Sequence, residues 1–117
     1  MMKKAKLPVP LERDVSQAIA DYFALVYHIE LHRRNTGAVR ANYKGKTRFI
    51  RFSVAGQADR WGIAPNTGRH IEIEVKRQGK FPSDEQRAWL DACRAQGAIA
   101  FWADSVHMAI EKYREQV

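Results

Sequence analysis

Three polar residues in the middle of the chain have the types and spacing that chemistry at a phosphate group requires. Glu74 and Lys76 stand two positions apart in the segment RHIEIEVKR at 69–77, and Asp59 stands fifteen positions before Glu74. In a strand, residues two apart point to the same side and lie roughly 6.6 Å apart along the chain. Glu74 and Lys76 can therefore serve one small site, which Asp59 joins if the fold brings it beside Glu74.

Such a set suits the hydrolysis of a phosphodiester. Two carboxylates offer the hard oxygen ligands that Mg²⁺ or Mn²⁺ prefers, and they leave coordination positions for water and a phosphate oxygen. A lysine ammonium beside them can position the attacking water or stabilise the developing charge. Taken singly, however, a Glu-x-Lys tripeptide is more often a pair of solvated surface charges, and Asp59 is more often a turn residue.

The composition agrees with a nucleic-acid partner. The 117 residues predict one domain at 11–117 behind a basic tail at 1–10, and 20 Lys+Arg against 13 Asp+Glu give a net charge of +7. Such a field attracts polyanions, although many small proteins are basic for other reasons. No apolar run has the length of a membrane helix, no signal peptide is evident, and the single Cys93 cannot form an internal disulfide. We therefore expect a cytoplasmic protein.

The first half of the chain predicts a helix followed by a hairpin. Apolar residues at three- and four-residue steps predict a helix over roughly 11–32. Two β-prone runs at 38–43 and 47–55, separated by Lys44-Gly45-Lys46, predict a hairpin. The glycines and proline of 56–69 predict a loop.

The second half predicts a strand–helix–strand crossover and a closing helix. The strand is 70–76, the second helix begins at the cap Ser83, the next strand is 98–103, and the last helix follows Asp104 or Ser105. The crossover implies a parallel pair of strands. We expect the first three strands to form an antiparallel meander in which 47–55 pairs with 70–76 and so places Asp59 beside Glu74. The fold class is then α/β, a central mixed sheet flanked by helices in the order α-β-β-β-α-β-α.

These motifs, in this order, resemble the virus-type replication-repair nuclease (VRR-NUC) domain, a branch of the PD-(D/E)XK nuclease superfamily. Nearly the whole domain is covered. The matching pieces are Glu12, RRNTGAVR at 33–40, GQADRWGI at 56–63, IEIEVKRQGKFPSDEQRAWL at 71–90 and QGAIAFWADS at 96–105. One departure is Ala58-Asp59, where the superfamily often has proline-aspartate.

The resemblance implies a restriction-endonuclease-like core and a site that uses Mg²⁺ or Mn²⁺. It implies metal ligation by Asp59, Glu74 and the Val75 carbonyl, with Lys76 as the catalytic lysine. It also implies supporting roles for Glu12 near the metal and for Gln86. The short stand-alone length resembles phage and bacterial members that are similar to Holliday-junction resolvases. That similarity implies a homodimer acting on branched DNA in repair or recombination.

Several of these residues also have simpler interpretations. An acidic residue such as Glu12 in the first turn of a helix is favoured by the helix dipole. Ser83 to Gln86 matches a capping box, in which the glutamine bonds back to the cap, and one side chain is not expected to hold both roles. Glu72 shares the polar face of its strand but lies outside the Glu-x-Lys frame, so we expect it to be solvated or an outer-sphere group.

Basic residues around the predicted hairpin are the natural phosphate contacts, with a plain solvated face as the alternative. They are Arg33, Arg34, Arg40, Lys44, Lys46, Arg48 and Arg51. The family pattern leaves room for Asn35 on the substrate side as well. Two other functions stay open at this point: a non-catalytic DNA-binding or assembly module with the same fold, and a nuclease that prefers flaps or linear duplex.

Overall fold

A computed structural model of the chain describes residues 7–34, 38–43, 46–51 and 56–117, with 38–43 and 46–51 described as backbone. Within these ranges the protein has three helices and six strands. In chain order they are α1 (Glu12–Tyr27), β1 (His32–Arg33), β2 (Ala38–Tyr43), β3 (Lys46–Arg51), β4 (Arg60–Ile63), β5 (His70–Val75), α2 (Asp84–Ala95), β6 (Ile99–Ala103) and α3 (Val106–Gln116). No helix in the described part of the chain is long and apolar enough to cross a bilayer.

Four of the strands form one mixed sheet in the order β1-β4-β5-β6. The pairs β1–β4 and β4–β5 are antiparallel, and β5–β6 is parallel. The parallel pair is joined through α2, so the predicted crossover and the α/β class are confirmed. Because β5 is central, its residues 71–75 are all buried.

The main core lies on one face of this sheet. Ile71, Ile73 and Val75 of β5 are fully buried there against α1 and α3, which contribute side chains such as Phe23 and Tyr113. A second, smaller cluster lies on the opposite face, where α2 packs. That face also carries Glu72 and Glu74, since alternate residues of a strand point to opposite sides. The carboxylates of β5 therefore lie in a layer that α2 covers.

The first helix ends earlier than predicted. It stops at Tyr27 because His28 takes up a left-handed backbone conformation with φ of 57°. The Ile29 N–H then donates back to the Phe23 carbonyl at 3.0 Å, which closes the last turn. Ile29 and Leu31 are still buried. They are two residues apart, the period of an extended chain, and they lead into β1 rather than continuing the helix.

The predicted loop at 56–69 contains a strand, and this changes the sheet. It is β4, and not 47–55, that pairs with β5, from Arg60 opposite Ile73 to Ile63 opposite His70. The expected meander and the expected pairing of 47–55 with 70–76 are therefore wrong. A glycine inside β4 is required by close packing, because a Cβ on Gly62 would lie 2.7 Å from a backbone carbonyl oxygen. Gly62, one of the residues that predicted a loop, is thus a glycine that lets β4 pack closely against the chain.

The predicted hairpin exists as a separate two-stranded sheet. β2 and β3 pair antiparallel from Ala38 opposite Arg51 to Tyr43 opposite Lys46. Residues 44–45, which were predicted as part of the turn, lie outside the described residues, as do 52–55. With β1 and β4 added, the described order is α-β-β-β-β-β-α-β-α.

Candidate functional site

The structure brings Asp59, Glu74 and Lys76 together at the end of β5. Asp59 immediately precedes β4, and the antiparallel register of β4 on β5 carries it to the end where Glu74 lies. Its Oδ2 accepts a hydrogen bond from the Val75 N–H at 3.2 Å. The Lys76 Nζ lies 3.5 Å from the Glu74 Oε1. The predicted grouping thus forms, although β4 replaces the strand that was expected to produce it.

Glu74 is an unusually placed carboxyl group. Its side chain is 2% exposed, and among the described residues no donor reaches its buried Oε2. Burial, followed by the nearby negative charge of Asp59, raises the pKa of Glu74 to about 8, against the opposing effect of Lys76. A buried carboxyl beside a second carboxylate holds its proton near neutral pH unless a cation replaces it.

These features fit a divalent cation. A metal ion would supply the charge that the pair of carboxylates lacks and would use the free oxygen of Glu74. Asp59, Glu74 and the carbonyl of Val75 would be its protein ligands. In the parts of the chain that the structure describes, no group of three or more His, Cys, Asp or Glu side chains is arranged to hold a metal. The carboxylate part of this site is accordingly a pair.

Glu12 lies at the edge of this arrangement. It is the exposed first residue of α1, and it lines the same cleft as Asp59, a cavity of about 350 Å³ between α1 and the start of β4. Arg13 and Arg33 line the cleft too. Glu12 is therefore placed to act on a ligand in the cleft, without forming a three-carboxylate cluster with Asp59 and Glu74.

Gln86 makes the capping contact and also contacts Glu74, two contacts that one side chain was not expected to combine. Its Oε1 accepts from the Ser83 N–H at 2.8 Å, which completes the capping box of α2. Its Nε2 donates to the Glu74 Oε1 at 3.0 Å. One side chain can make both contacts because the two ends of an amide act independently, and a role for Gln86 in catalysis stays a prediction. As a result, the start of α2 is attached directly to Glu74.

Glu72 is buried, so the prediction that it is solvated is wrong, while the alternative of an outer-sphere group stays a prediction. Its side chain is 0% exposed. Arg34 donates to both of its oxygens, at 2.7 and 2.9 Å, and the Trp89 Nε1–H donates to Oε1 at 2.7 Å. The His70 Nε2 lies 2.9 Å from Oε2. The alternation of β5 correctly assigned Glu72 to the polar face, but it carried no information on the helix that covers that face.

One signal in the sequence could have revealed this contact. Gln86 and Trp89 are three residues apart on α2, and residues at that spacing share one face of a helix. Glu74 and Glu72 are two apart on β5 and share one face of the strand. The two helical donors thus match the two carboxylates in order, Gln86 with Glu74 and Trp89 with Glu72.

The predicted phosphate contacts divide into three groups. Arg33 is exposed in β1 and lines the cleft. Arg34 lines the cleft as well, with its guanidinium bound by Glu72 and by the Ala58 carbonyl at 2.9 Å. Asn35 and Lys44 lie outside the described residues. The others belong to the backbone of the hairpin: Arg40 in β2, and Lys46, Arg48 and Arg51 in β3.

Arg60 is a residue of this region that the sequence did not single out. It directly follows Asp59 and is buried, with its Nε donating to the Ser16 Oγ at 2.8 Å and its Nη1 donating to the Leu31 carbonyl at 3.2 Å. These contacts join β4 to α1 and to the segment before β1. Two arginines, Arg34 and Arg60, therefore fix the backbone on the two sides of Asp59.

Comparison with known proteins adds no relative on which to base an assignment. No family model and no curated protein sequence matches the chain. The interpretation of the site rests on its own geometry: two carboxylates, one buried and raised in pKa, beside an ammonium and an open cleft. That combination can hold a divalent cation and place a phosphate and a water against it.

Proposed function

We propose that the protein is a Mg²⁺- or Mn²⁺-dependent endodeoxyribonuclease with a PD-(D/E)XK core of the VRR-NUC type. The observation that carries this proposal is Glu74, a buried carboxyl group that has one free oxygen and lies beside Asp59 and Lys76. A carboxyl group that served only the fold would have its oxygens hydrogen-bonded, since an unsatisfied buried acceptor costs about 1–3 kcal/mol. A cation ligand has a reason to keep that oxygen free.

The charge of the chain supports a polyanionic substrate. The net charge is +7, and Arg13 and Arg33 line the cleft beside Asp59. Arginines at that position would neutralise phosphates on either side of the bond to be cleaved. The exposed Arg77 and Lys80 follow Lys76 on the next loop and extend the positive charge along the same end of β5.

Each side chain then has a role in the hydrolysis. Asp59, Glu74 and the Val75 carbonyl would hold the metal ion, which would act as a Lewis acid on the phosphodiester and lower the pKa of a water. The Lys76 ammonium, 18% exposed and 3.5 Å from Glu74, aligns the attacking water and stabilises the negative charge that develops on the phosphate oxygens. Gln86 keeps one oxygen of Glu74 in place. Glu12 acts from the rim of the cleft.

Branched DNA is the substrate class we propose, with a four-way junction as the preferred form. Two copies of the chain related by a two-fold axis would present two sites, and so cut two strands symmetrically. This part of the proposal is supported by the resemblance of the short chain to junction-resolving members of the family. It also places the protein in DNA repair or recombination, in the cytoplasm of a bacterial cell or a phage-infected host.

Cleavage of an end-labelled four-way junction tests the proposal. Reactions with Mg²⁺, Mn²⁺ or EDTA are compared for the wild type, Glu74→Gln and Lys76→Ala, with Arg114→Ala as the control at an exposed basic residue of α3. We expect paired symmetric nicks that require metal, and a loss of about 100-fold or more in both site variants but not in the control.

Two outcomes would contradict parts of this proposal. Tight binding of the junction without cleavage in either metal would favour the non-catalytic DNA-binding module. Equal cleavage of a flap or a linear duplex would retain the nuclease and reject the preference for junctions.

A further inference from the structure

Glu72, which is not one of the proposed metal ligands, makes several polar contacts inside the protein. This carboxylate is fully buried, yet it receives two hydrogen bonds from Arg34 and one from Trp89, and it lies against His70. Burying a charge is expensive unless it is paired and hydrogen-bonded, and a buried ion pair is weak support for stability as such. The arrangement therefore calls for a role beyond holding the fold together.

Arg34 connects this carboxylate to the backbone that carries Asp59. Its Nη1 donates to the Ala58 carbonyl at 2.9 Å, and its own backbone N–H donates to the Asp59 carbonyl at 2.8 Å. One residue thus holds the carbonyl groups on both sides of the peptide bond between Ala58 and Asp59. The guanidinium that makes the first contact is itself fixed in its plane by both oxygens of Glu72.

We propose that Glu72 and Arg34 are positioning residues that set the place of Asp59 opposite Glu74. The inference rests on the proposed metal site, for which Asp59 is one ligand. Glu72 and Arg34 act through the Ala58–Asp59 backbone and are not themselves ligands of the metal. Of the two carboxylates on the same face of β5, Glu74 binds the cation and Glu72 holds the loop that brings the second ligand.

The position of Asp59 explains why it needs support from Arg34 and Glu72. Asp59 lies outside the regular pairing of β4, which begins at Arg60. Its side chain reaches β5 through a single hydrogen bond of 3.2 Å to the Val75 N–H. A ligand on a loop loses metal affinity when its support is loose, and removing an outer partner of a ligand typically weakens binding about 10- to 100-fold.

A simpler account must be separated from this one. The negative charge of Glu72 could favour a cation at Glu74 through space, without any effect on Asp59. The two accounts differ in sign for Arg34. Removing its positive charge would strengthen cation binding through space, but it would weaken binding if Arg34 holds Asp59.

The test measures the binding of Mn²⁺ alone to the full chain, by the loss of the free-ion electron paramagnetic resonance signal. The wild type is compared with Glu72→Gln, Arg34→Gln and Arg34→Lys, and with Glu111→Gln as a control that removes an exposed carboxylate from α3. We expect affinity to fall about tenfold or more in all three positioning variants and to stay within about twofold in the control. Arg34→Lys is included because it keeps the charge and the fold while ending the two-pronged contact.

A second readout needs no metal. Hydrogen exchange of the Val75 amide reports its bond to the Asp59 side chain, and we expect it to become about tenfold faster in the positioning variants, with the amides of α3 unchanged. Stronger Mn²⁺ binding by Arg34→Gln, or unchanged Val75 exchange in all three variants, overturns the inference. If the wild type binds no Mn²⁺, the proposed metal site fails instead, and the Val75 exchange alone decides whether Glu72 and Arg34 position Asp59.

Discussion

Replacing Glu74 by glutamine is expected to stabilise the metal-free protein and to abolish the proposed metal site. The pKa of Glu74 is raised from 4.5 to about 8, first by burial and then by Asp59, so the folded chain binds this proton more tightly than the unfolded chain does. The stabilisation that comes from the bound proton is complete below about pH 4.5 and is lost as the pH rises through 8. Glutamine is neutral at every pH and avoids this loss.

The difference in unfolding free energy depends on the pH range between the two pKa values, where the unfolded chain has lost the proton and the folded chain still holds it. Each pH unit between 4.5 and 8 lowers the unfolding free energy of the wild type by about 1.4 kcal/mol. At pH 7 the wild type is therefore less stable than Glu74→Gln by about 3 kcal/mol, and at pH 5 by about 1 kcal/mol or less. The glutamine can keep the contact with Gln86 through its oxygen, and it directs its NH₂ group to the position of the free Oε2.

Urea unfolding in EDTA measures this difference. Trp61, Trp89 and Trp102 are all partly buried, so tryptophan fluorescence should report the transition. Unfolding free energies of the two proteins are compared at pH 5, 6, 7 and 8, since other titrating groups affect both and cancel in the difference. In the wild type alone, saturating Mn²⁺ should add stability, by about 2.7 kcal/mol at one hundred times its dissociation constant.

A difference that does not grow between pH 5 and pH 7 would refute the reasoning, because it would mean that Glu74 is not held protonated by its surroundings. So would a glutamine variant that is less stable than the wild type at pH 7. Stabilisation of the variant by Mn²⁺ equal to that of the wild type would show that Glu74 is not a metal ligand.

Three further substitutions test particular contacts, each by urea unfolding against the wild type. Trp89→Phe removes the N–H that donates to Glu72 at 2.7 Å, and we expect a loss of about 1–3 kcal/mol; no loss would mean that water replaces it. Gly62→Ala places a Cβ 2.7 Å from a backbone carbonyl oxygen, and we expect a loss of about 1–3 kcal/mol, whereas unchanged stability would mean that the strand shifts freely. Gln116→Ala removes the amide that hydrogen-bonds to both the N–H and the carbonyl of Ala100, at 2.9 Å each, at the open edge of β6. We expect lower stability and, because the strand edge is then unpaired, increased self-association measured by light scattering. A variant that self-associates no more than the wild type would contradict the idea that Gln116 protects this edge.

The second half of the fold was predictable because its signals are local. The alternation in 70–76 produces β5, Ser83 caps α2, and Ser105 caps α3. A strand, a helix and a strand in succession then leave essentially one arrangement, the parallel crossover that β5 and β6 adopt. Glu74 and Lys76 could be paired from the sequence for the same reason, since their spacing on a strand sets their direction.

The tertiary structure decided which strand lies beside β5 and what covers its polar face. Which strand pairs with β5 depends on segments that are distant in the sequence. The short β4 takes the position beside β5 that was predicted for the longer, more β-prone 47–55, although Gly62 and the residues around β4 are typical of a loop. Periodicity likewise predicts which side chains share a face, but not whether water or a helix lies over them. Glu72 and Glu74 are alike in the sequence; the packing of α2 gives Glu72 an arginine and an indole, and it leaves Glu74 one free oxygen.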